Sequence, residues 1–424
     1  MDKPKAKIAA VKGMYDVMPP DSHLWNDLEA AARRVFSTYG YDEVRTPVVE
    51  ATDLFVRSVG ETTAVVEKEM YSFTDRNGDP ISLRPEGTAS VVRAYIESGA
   101  AVTDPVARYY YMGPMYRYER PQKGRQREFH QIGLELFGVD SPMGDVETMA
   151  TFVHLMDELK VEGVKLEINS IGCDECRPGY NKEIVKYLKD RSERLCDDCK
   201  KRIDRNPLRV FDCKTESCIE ELKNAPTIGH FWCEKCKTHF DGVKDGLKNI
   251  NIPFVVNERI VRGLDYYLRT AFEFTTTKLG AQNAVAAGGR YDGLVRDLGG
   301  PDMPGVGYAI GVERLVLLME QHHGKPKRKE DLVYFAVLGE KVAEKILPMI
   351  QTLRKDGVRV EWDFGAKSLK SQMRRADKLG AESVVIIGED ELAKGHAVVR
   401  DMRAKTQHEV KLAELPMHFV SIGG

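Results

Sequence analysis

No stretch of this 424-residue sequence holds the roughly 18 consecutive apolar residues that a membrane-spanning helix needs. The opening MDKPKAKIAAVKG has lysines but neither an apolar run nor a small-residue cleavage site, so a secretory signal is not expected. Cysteine is missing outside the segment from Cys173 to Cys236. A cytoplasmic protein is the expectation, its eight thiols reduced or bound to metal. There is no excess of either charge: 63 Lys and Arg against 65 Asp and Glu leave a formal net charge of −2. Global attraction to nucleic acid is therefore excluded, and any RNA contact must come from local basic patches. The phosphate loop G-x-x-x-x-G-K-[ST] is absent as well, so a bound nucleotide would need arginines to hold its phosphates. Internal repeats and low-complexity segments are lacking. What remains is ordinary globular composition, 42% hydrophobic and 30% charged, in a chain long enough for two or three domains.

Apolar residues at Leu24, Trp25, Leu28, Ala31, Ala32, Val35, Phe36 and Tyr39 recur every three or four positions. That spacing predicts a helix over Asp21 to Tyr39, with Asp21 or Ser22 as cap and Gly40 as stop. The following YDEVRTPVVE is β-rich, but Pro47 cannot donate to a ladder and belongs at an edge or bulge. Further strands are expected at Met70 to Phe73, Val106 to Tyr118, Phe129 to Phe137, Val164 to Asn169, Thr270 to Thr277 and Ala284 to Ala287. Most lack the following helix that a parallel sheet requires, which makes the expected class α+β: an antiparallel sheet with flanking helices. The cysteines mark a helical insertion over residues 171–251, between sheet-domain segments 1–170 and 252–324. HHGKPKRKED reads as a linker, and residues 331–424 alternate strand and helix as a small α/β domain does.

The stretch RYYYMGPMYRYERPQKGRQREFHQIGLELFG places Arg117, Arg120, Lys123, Arg125 and Arg127 in a loop between two strand-like runs. A solvated hairpin with a charged tip is the blander reading. On the second run, however, Gln131, Gly133, Glu135 and Phe137 share one face, so polar groups align beside Phe129 like the floor of a binding site. Gly305, Gly307 and Gly311 are spaced G-x-G-x-x-x-G after the loop GGPDMP, which fails the dinucleotide fingerprint. The pairs Cys173/Cys176, Cys196/Cys199 and Cys233/Cys236 are C-x-x-C, and Cys213/Cys218 is wider. Such pairs suit tetrahedral zinc, and eight thiolates could make two sites; simple reduced cysteines remain the alternative, and the pairing is open.

YRYE at Tyr116 to Glu119 resembles motif 2 of the class II aminoacyl-tRNA synthetases, and GVGYAIGVERL at Gly305 to Leu315 resembles motif 3. The helix and strand ending at Pro47 resemble motif 1, the dimer element. RGLDYY at Arg262 to Tyr267 and GGRYDGL at Gly288 to Leu294 resemble the peptides of the histidine-using branch; with LRPEGT at Leu83 to Thr88, the likeness spans essentially the whole chain.

The resemblance implies a class II catalytic sheet, a homodimer, and activation of L-histidine by ATP followed by transfer to its tRNA. It puts Arg117 and Arg314 on the α- and γ-phosphates, Arg125 at ATP, and Glu119 at the adenine or a neighbouring arginine, with Mg²⁺ on phosphate oxygens. Glu86, Thr88 and Gln131 would receive the α-ammonium, Glu135 and Tyr267 the imidazole, and Tyr266 would shape the pocket. Arg262 would meet the charge that grows at the reacting carboxylate and α-phosphate. Arg120, Gln122, Arg125 and Arg127 would touch the tRNA acceptor end. The C-terminal domain resembles an anticodon-binding domain, with Lys367, Lys370, Arg374 and Arg375 toward RNA phosphates. The rival reading is the catalytically silent regulatory subunit of ATP phosphoribosyltransferase; such relatives typically lack the C-terminal domain and the intact histidine peptides, and both are present here.

Overall fold

The computed structural model describes residues 8–61, 63–122, 124–280, 283–324, 332–364 and 367–420. Lys123 of the cationic loop and residues 325–331 of the expected linker lie outside the described residues. The chain forms two compact units, Met1–Lys325 and Pro326–Gly424. Among the described residues no helix is long and apolar enough to cross a membrane.

The first helix runs Asp21–Thr38 and buries Leu24, Leu28, Ala31, Ala32, Val35 and Phe36, as the spacing requires. Its cap differs from expectation. Pro20 occupies that position and no side chain caps the helix, because Asp21 is already inside the first turn, where its charge complements the helix dipole.

An eight-stranded sheet follows the order Asp42–Glu43, Arg108–Tyr116, Glu128–Phe137, Gly305–Gly311, Ala284–Arg290, Leu268–Thr275, Lys165–Ser170, Phe254–Val256. Only the two outermost pairings are parallel; every inner one is antiparallel. Each strand expected in this sheet is present with ends shifted by a few residues. Tyr71–Thr74 belongs instead to a three-stranded sheet with Val49–Ala51 and Pro80–Leu83. The strand Gly305–Gly311 was not anticipated, since its glycines carry little β propensity.

Alternation divides the large sheet into two faces. Ile132, Leu134, Leu136, Val306, Tyr308 and Ile310 join the main core under the helices Asp21–Thr38, Pro142–Glu158 and Val312–His323. Tyr111, Phe137, Tyr266, Tyr267 and Tyr291 form a second cluster with Phe129 packed against it. The polar positions Gln131 and Glu135 belong to this aromatic face.

Residues Arg177 to Asn249 form the helices Arg177–Lys189, Asp197–Arg205, Glu216–Leu222 and Glu234–Asn249 with short turns between them. Tyr180, Ile184, Leu188, Ile203 and Val210 give this module its own core. Its last helix returns to the sheet, burying Phe240, Val243 and Leu247 in the main core.

The second unit is a five-stranded sheet in the order Arg359–Trp362, Leu332–Val337, Ser383–Ile387, His396–Asp401, Gln407–Lys411. The first three strands are parallel and the last two antiparallel. Gln372 of the helix Leu369–Leu379 is fully buried and bonds both the N–H and the carbonyl of Val337. On the same stretch Lys367, Lys370, Arg374 and Arg375 are all exposed.

Candidate active site

Glu135 sits in mid-sheet with no solvent exposure. Thr88 donates to its Oε1 at 2.7 Å, and the Tyr291 hydroxyl donates to its Oε2. Burial pushes the carboxyl up to about 8, partly offset by the Tyr291 and Thr88 hydrogen bonds. Its place depends on glycine. A Cβ on Gly307, the cross-strand partner of Glu135, would lie 1.9 Å from Glu135 Oε2, and one on Gly305 would lie 2.4 Å from the Tyr291 ring. The Gly305–Gly311 glycines therefore make room for the two side chains.

Glu86 is buried beside this group and accepts from the N–H groups of Thr88 at 2.7 Å and Ala89 at 2.9 Å. It thereby caps the helix Thr88–Glu97, and an ionised carboxylate with about four lone-pair sites keeps capacity for a cationic ligand. Burial raises its pKa too, against those backbone donors. Tyr266 lies 3.5 Å from Glu86 Oε2. The structure thus brings Glu86, Thr88, Glu135 and Tyr266 into one cluster; Gln131 stands two register steps along the strand, its Oε1 buried without a partner.

Two members were not named from the sequence. Tyr291 lies inside GGRYDGL and is the direct partner of Glu135, whereas Tyr267 turns toward Arg262, whose guanidinium is 5.0 Å from its ring. Tyr111 is buried against Gly87 and Gly133, and its hydroxyl makes no hydrogen bond of good geometry. Its pairing opposite Gly133 was the available signal, because alternation puts it on the face of Glu135.

The raised carboxyl predicts a pH effect. The folded chain keeps a proton on Glu135 between about 4.5, the ordinary value, and about 8, whereas the unfolded chain loses it. Stability is therefore expected to fall as pH rises through that window, with Glu86 acting in the same direction. Glu135→Gln should flatten the slope in urea unfolding series at several pH values. An unchanged slope would mean that Glu135 is ionised throughout.

Arg262 donates from Nη1 to Glu273 Oε1 at 2.9 Å, while its buried Nε makes no hydrogen bond. Glu273 is the third residue that sequence reasoning missed. Asp265, the acidic residue nearest to Arg262 within RGLDYY, accepts instead from Asn206 Nδ2 at 2.9 Å. A cavity of about 230 Å³, lined by Arg177, Asn206, Arg209, Arg262, Asp265 and Tyr267, opens between this loop and the helical module rather than over Glu135.

At the other end of the strand Glu128–Phe137, three arginines converge. Arg117 donates from Nε to Pro85 O at 2.9 Å, Arg314 from Nη1 to Ala284 O at 2.8 Å, and Arg125 Nε stands 2.6 Å from Glu119 Oε2. Burial lowers the Arg314 pKa, and the nearby charges of Arg125 and Arg117 lower it further, outweighing Glu119. Such a cluster favours an incoming anion. Arg120 and Gln122 are exposed in the loop, while Arg127 stacks at 3.8 Å over the Tyr118 ring and bonds Glu119 O.

The cysteines form two groups: Cys173, Cys176, Cys233 and Cys236, and Cys196, Cys199, Cys213 and Cys218, with all ligand atoms in each within 4.8 Å of one another. The pairing left open by the spacing is thus first C-x-x-C with third, and second with the wider pair.

A histidyl-tRNA synthetase family model matches residues 13–315, and an anticodon binding domain model matches residues 332–421. The chain is 50% identical over 405 residues to a histidine–tRNA ligase of Syntrophotalea carbinolica, covering 96% of each. To that of Geobacter sulfurreducens it is 49% identical over 407 residues, covering 96% of this chain and 97% of the relative. Among solved structures, an apo S. aureus histidyl-tRNA synthetase is similar with a TM-score of 0.81 and 33% identity, over 98% of this chain and 100% of that one. The fold is also that of a Nostoc histidyl-tRNA synthetase, with a TM-score of 0.71 at 22% identity over 98% and 100% of the two chains.

Proposed function

The chain belongs to the histidyl-tRNA synthetase family, and on that premise we propose how its residues divide the work of that enzyme. The activity is that of a histidine–tRNA ligase, using ATP and Mg²⁺ to activate L-histidine and then charging tRNA. The near full-length likeness to curated ligases sets aside the silent regulatory-subunit reading.

The observation that carries the division is the polarity of one strand. Glu135 at one end is a fully buried carboxyl that burial pushes up to about 8, and Arg117, Arg125 and Arg314 gather near the other. We assign the imidazole to Glu135 with Tyr267 and Tyr291, and the α-ammonium to Glu86, Thr88 and Gln131, whose unpartnered Oε1 supports that role. An amino acid without the imidazole would forgo the hydrogen bonds these buried polar groups can offer a ring nitrogen, which is the basis of selection. Arg117 and Arg314 hold the triphosphate, with Glu119 at the adenine or orienting Arg125. Bound Mg²⁺ would sit on phosphate oxygens and offset their charge. Histidine's carboxylate oxygen attacks the α-phosphorus, pyrophosphate leaves, and Arg262 meets the charge that develops. Pyrophosphate exchange run with each of the twenty amino acids tests the reading. Exchange with histidine is expected; exchange with another amino acid and none with histidine would overturn it.

For tRNA we assign Arg120, Gln122, Arg125 and Arg127 to the acceptor end, and Lys367, Lys370, Arg374 and Arg375 to RNA phosphates. Arg125→Ala or Arg127→Ala is expected to impair aminoacylation several-fold more than pyrophosphate exchange. Equal losses would place these residues at ATP alone. We also assign a homodimer through the first helix and the strand beyond it; Val49 and Phe73, exposed at 41% and 48% on the small sheet, offer apolar surface for a partner. Sedimentation at micromolar concentration should show a dimer, and only monomer would refute it. The cytoplasm, where tRNA is charged, is the proposed location.

A further inference from the structure

We propose that the eight cysteines hold two Zn²⁺ ions, and that these ions clamp the active-site loop Arg262 to Tyr267 from two sides. The sulfur geometry carries the first half. Sγ–Sγ separations are 3.6 Å for Cys173–Cys176 and 3.8 Å for both Cys173–Cys233 and Cys196–Cys213. A tetrahedron with Zn–S bonds of about 2.3 Å has edges of about 3.8 Å, whereas a disulfide needs about 2.05 Å. Backbone amides aim at the sulfurs: Cys233 N–H at Cys176 Sγ, 3.1 Å, Cys196 N–H at Cys218 Sγ, 3.2 Å, and Thr215 N–H at Cys213 Sγ, 3.4 Å. Such donors favour thiolate and orient metal ligands. Cys176, Cys196 and Cys233 each stand at the N-terminus of a helix, a position that also favours anionic sulfur. Four half-buried thiolates would repel one another without a cation between them.

The second half follows from where the sites lie in the chain. Arg177, next to Cys176, donates to the carbonyls of Ile171, at 3.2 Å, and Tyr267. Between Cys199 and Cys213, two ligands of one ion, runs the segment with Asn206, which bonds Asp265 at 2.9 Å, and Arg209, which donates to the Gly263 carbonyl. The loop has no helix or strand of its own from Val261 to Tyr267; Arg177 and Arg209 of the module hold its backbone at Tyr267 and Gly263, Asn206 holds the Asp265 side chain, and the Asp265 N–H bonds Val59 O at 3.1 Å. Losing either ion frees one end of that hold and with it the placement of Arg262.

The clamp rests on the role assigned above to Arg262, and the experiment separates the two. Full-length protein purified without chelator is expected to contain two zinc ions per chain by elemental analysis; iron, or a zinc content near zero, would overturn the metal assignment. Cys199→Ser should retain one zinc, speed hydrogen exchange at Gly263 to Tyr267, and slow adenylation roughly 10-fold or more, since a misplacement of about 1 Å can cost 10²-fold. Arg209→Ala, which keeps every cysteine, should retain both ions and reproduce the faster exchange and slower adenylation. If Arg262→Ala slows adenylation but Arg209→Ala changes neither loop exchange nor rate, the clamp is wrong. If Arg262→Ala has no effect while loop exchange still rises in Arg209→Ala, the clamp stands and the catalytic assignment of Arg262 fails.

Discussion

Arg262→Ala is expected to slow formation of histidyl-adenylate by roughly 10²-fold, about 2.7 kcal/mol, while histidine affinity changes far less. Arg262 is held by Glu273 at 2.9 Å and lies against the Tyr267 ring, yet its Nε remains without a partner. A guanidinium has five N–H donors, so its contact with Glu273 leaves others for an oxyanion. A fixed cation matters most where charge develops, whereas in the assignment proposed above Glu86, Thr88, Gln131 and Glu135 would supply the binding common to ground and transition states. Arg262→Lys should recover only part of the rate, because a point ammonium does not reproduce the planar fork. The competing account is a structural ion pair with Glu273. It predicts that Glu273→Gln matches the defect and that unfolding temperature falls with it. Single-turnover adenylation measured beside thermal unfolding decides the matter: lost stability with an unchanged adenylation rate would refute the catalytic role.

Arg290→Met is expected to lower folding stability by about 3–5 kcal/mol, the usual cost of leaving one partner of a buried ion pair alone. Arg290 and Asp145 are both 0% exposed. The guanidinium bonds Asp145, Asp292 at 3.0 Å, and the carbonyls of Val139 at 2.8 Å and Ser141 at 3.1 Å. His239, from the last helix of the cysteine module, reaches the same Asp145 carboxylate at 3.2 Å. Burial opposes ionisation of Asp145, but Arg290 and His239 outweigh it and hold its pKa below the ordinary value. The pair therefore adds stability above the ordinary carboxylate range and loses that contribution as pH falls through the depressed value. Arg290→Met combined with Asp145→Leu should recover part of the loss, since the fully buried Asp145 charge is then no longer stranded and Asp292 keeps Arg269 at 3.5 Å. Urea unfolding of the two variants is the measurement. A loss under 1 kcal/mol in the single variant would show that water or a shifted side chain replaces the cation.

These two arginines sit in peptides the sequence already marked, but their work could not be told apart there. Arg290 and Tyr291 are neighbours in GGRYDGL, yet one is locked in an ion pair under the Pro142–Glu158 helix while the other bonds Glu135. Likewise RGLDYY offers Asp265 three residues from Arg262, and the partner turned out to be Glu273 on the next strand. Proximity in sequence is a poor guide inside a loop, where backbone direction is set by what packs on it.

By itself the sequence determined what local periodicity and composition can encode. The three-to-four spacing specified the helix Asp21–Thr38, alternation put Gln131 and Glu135 on one face, and clustered cysteines marked the module. The ordered peptides specified the family, because those residue types serve one reaction. Tertiary structure alone decided the partners across long separations: which cysteine pairs share a site, which carboxylate holds Arg262, and why Gly305 and Gly307 are glycines. Three of the four cysteine pairs have the same spacing, so nothing local distinguishes them. The glycines read as weak β formers until Glu135 and Tyr291 occupy the space a Cβ would need. Periodicity records a residue's relation to its own strand or helix; only packing records its relation to the others.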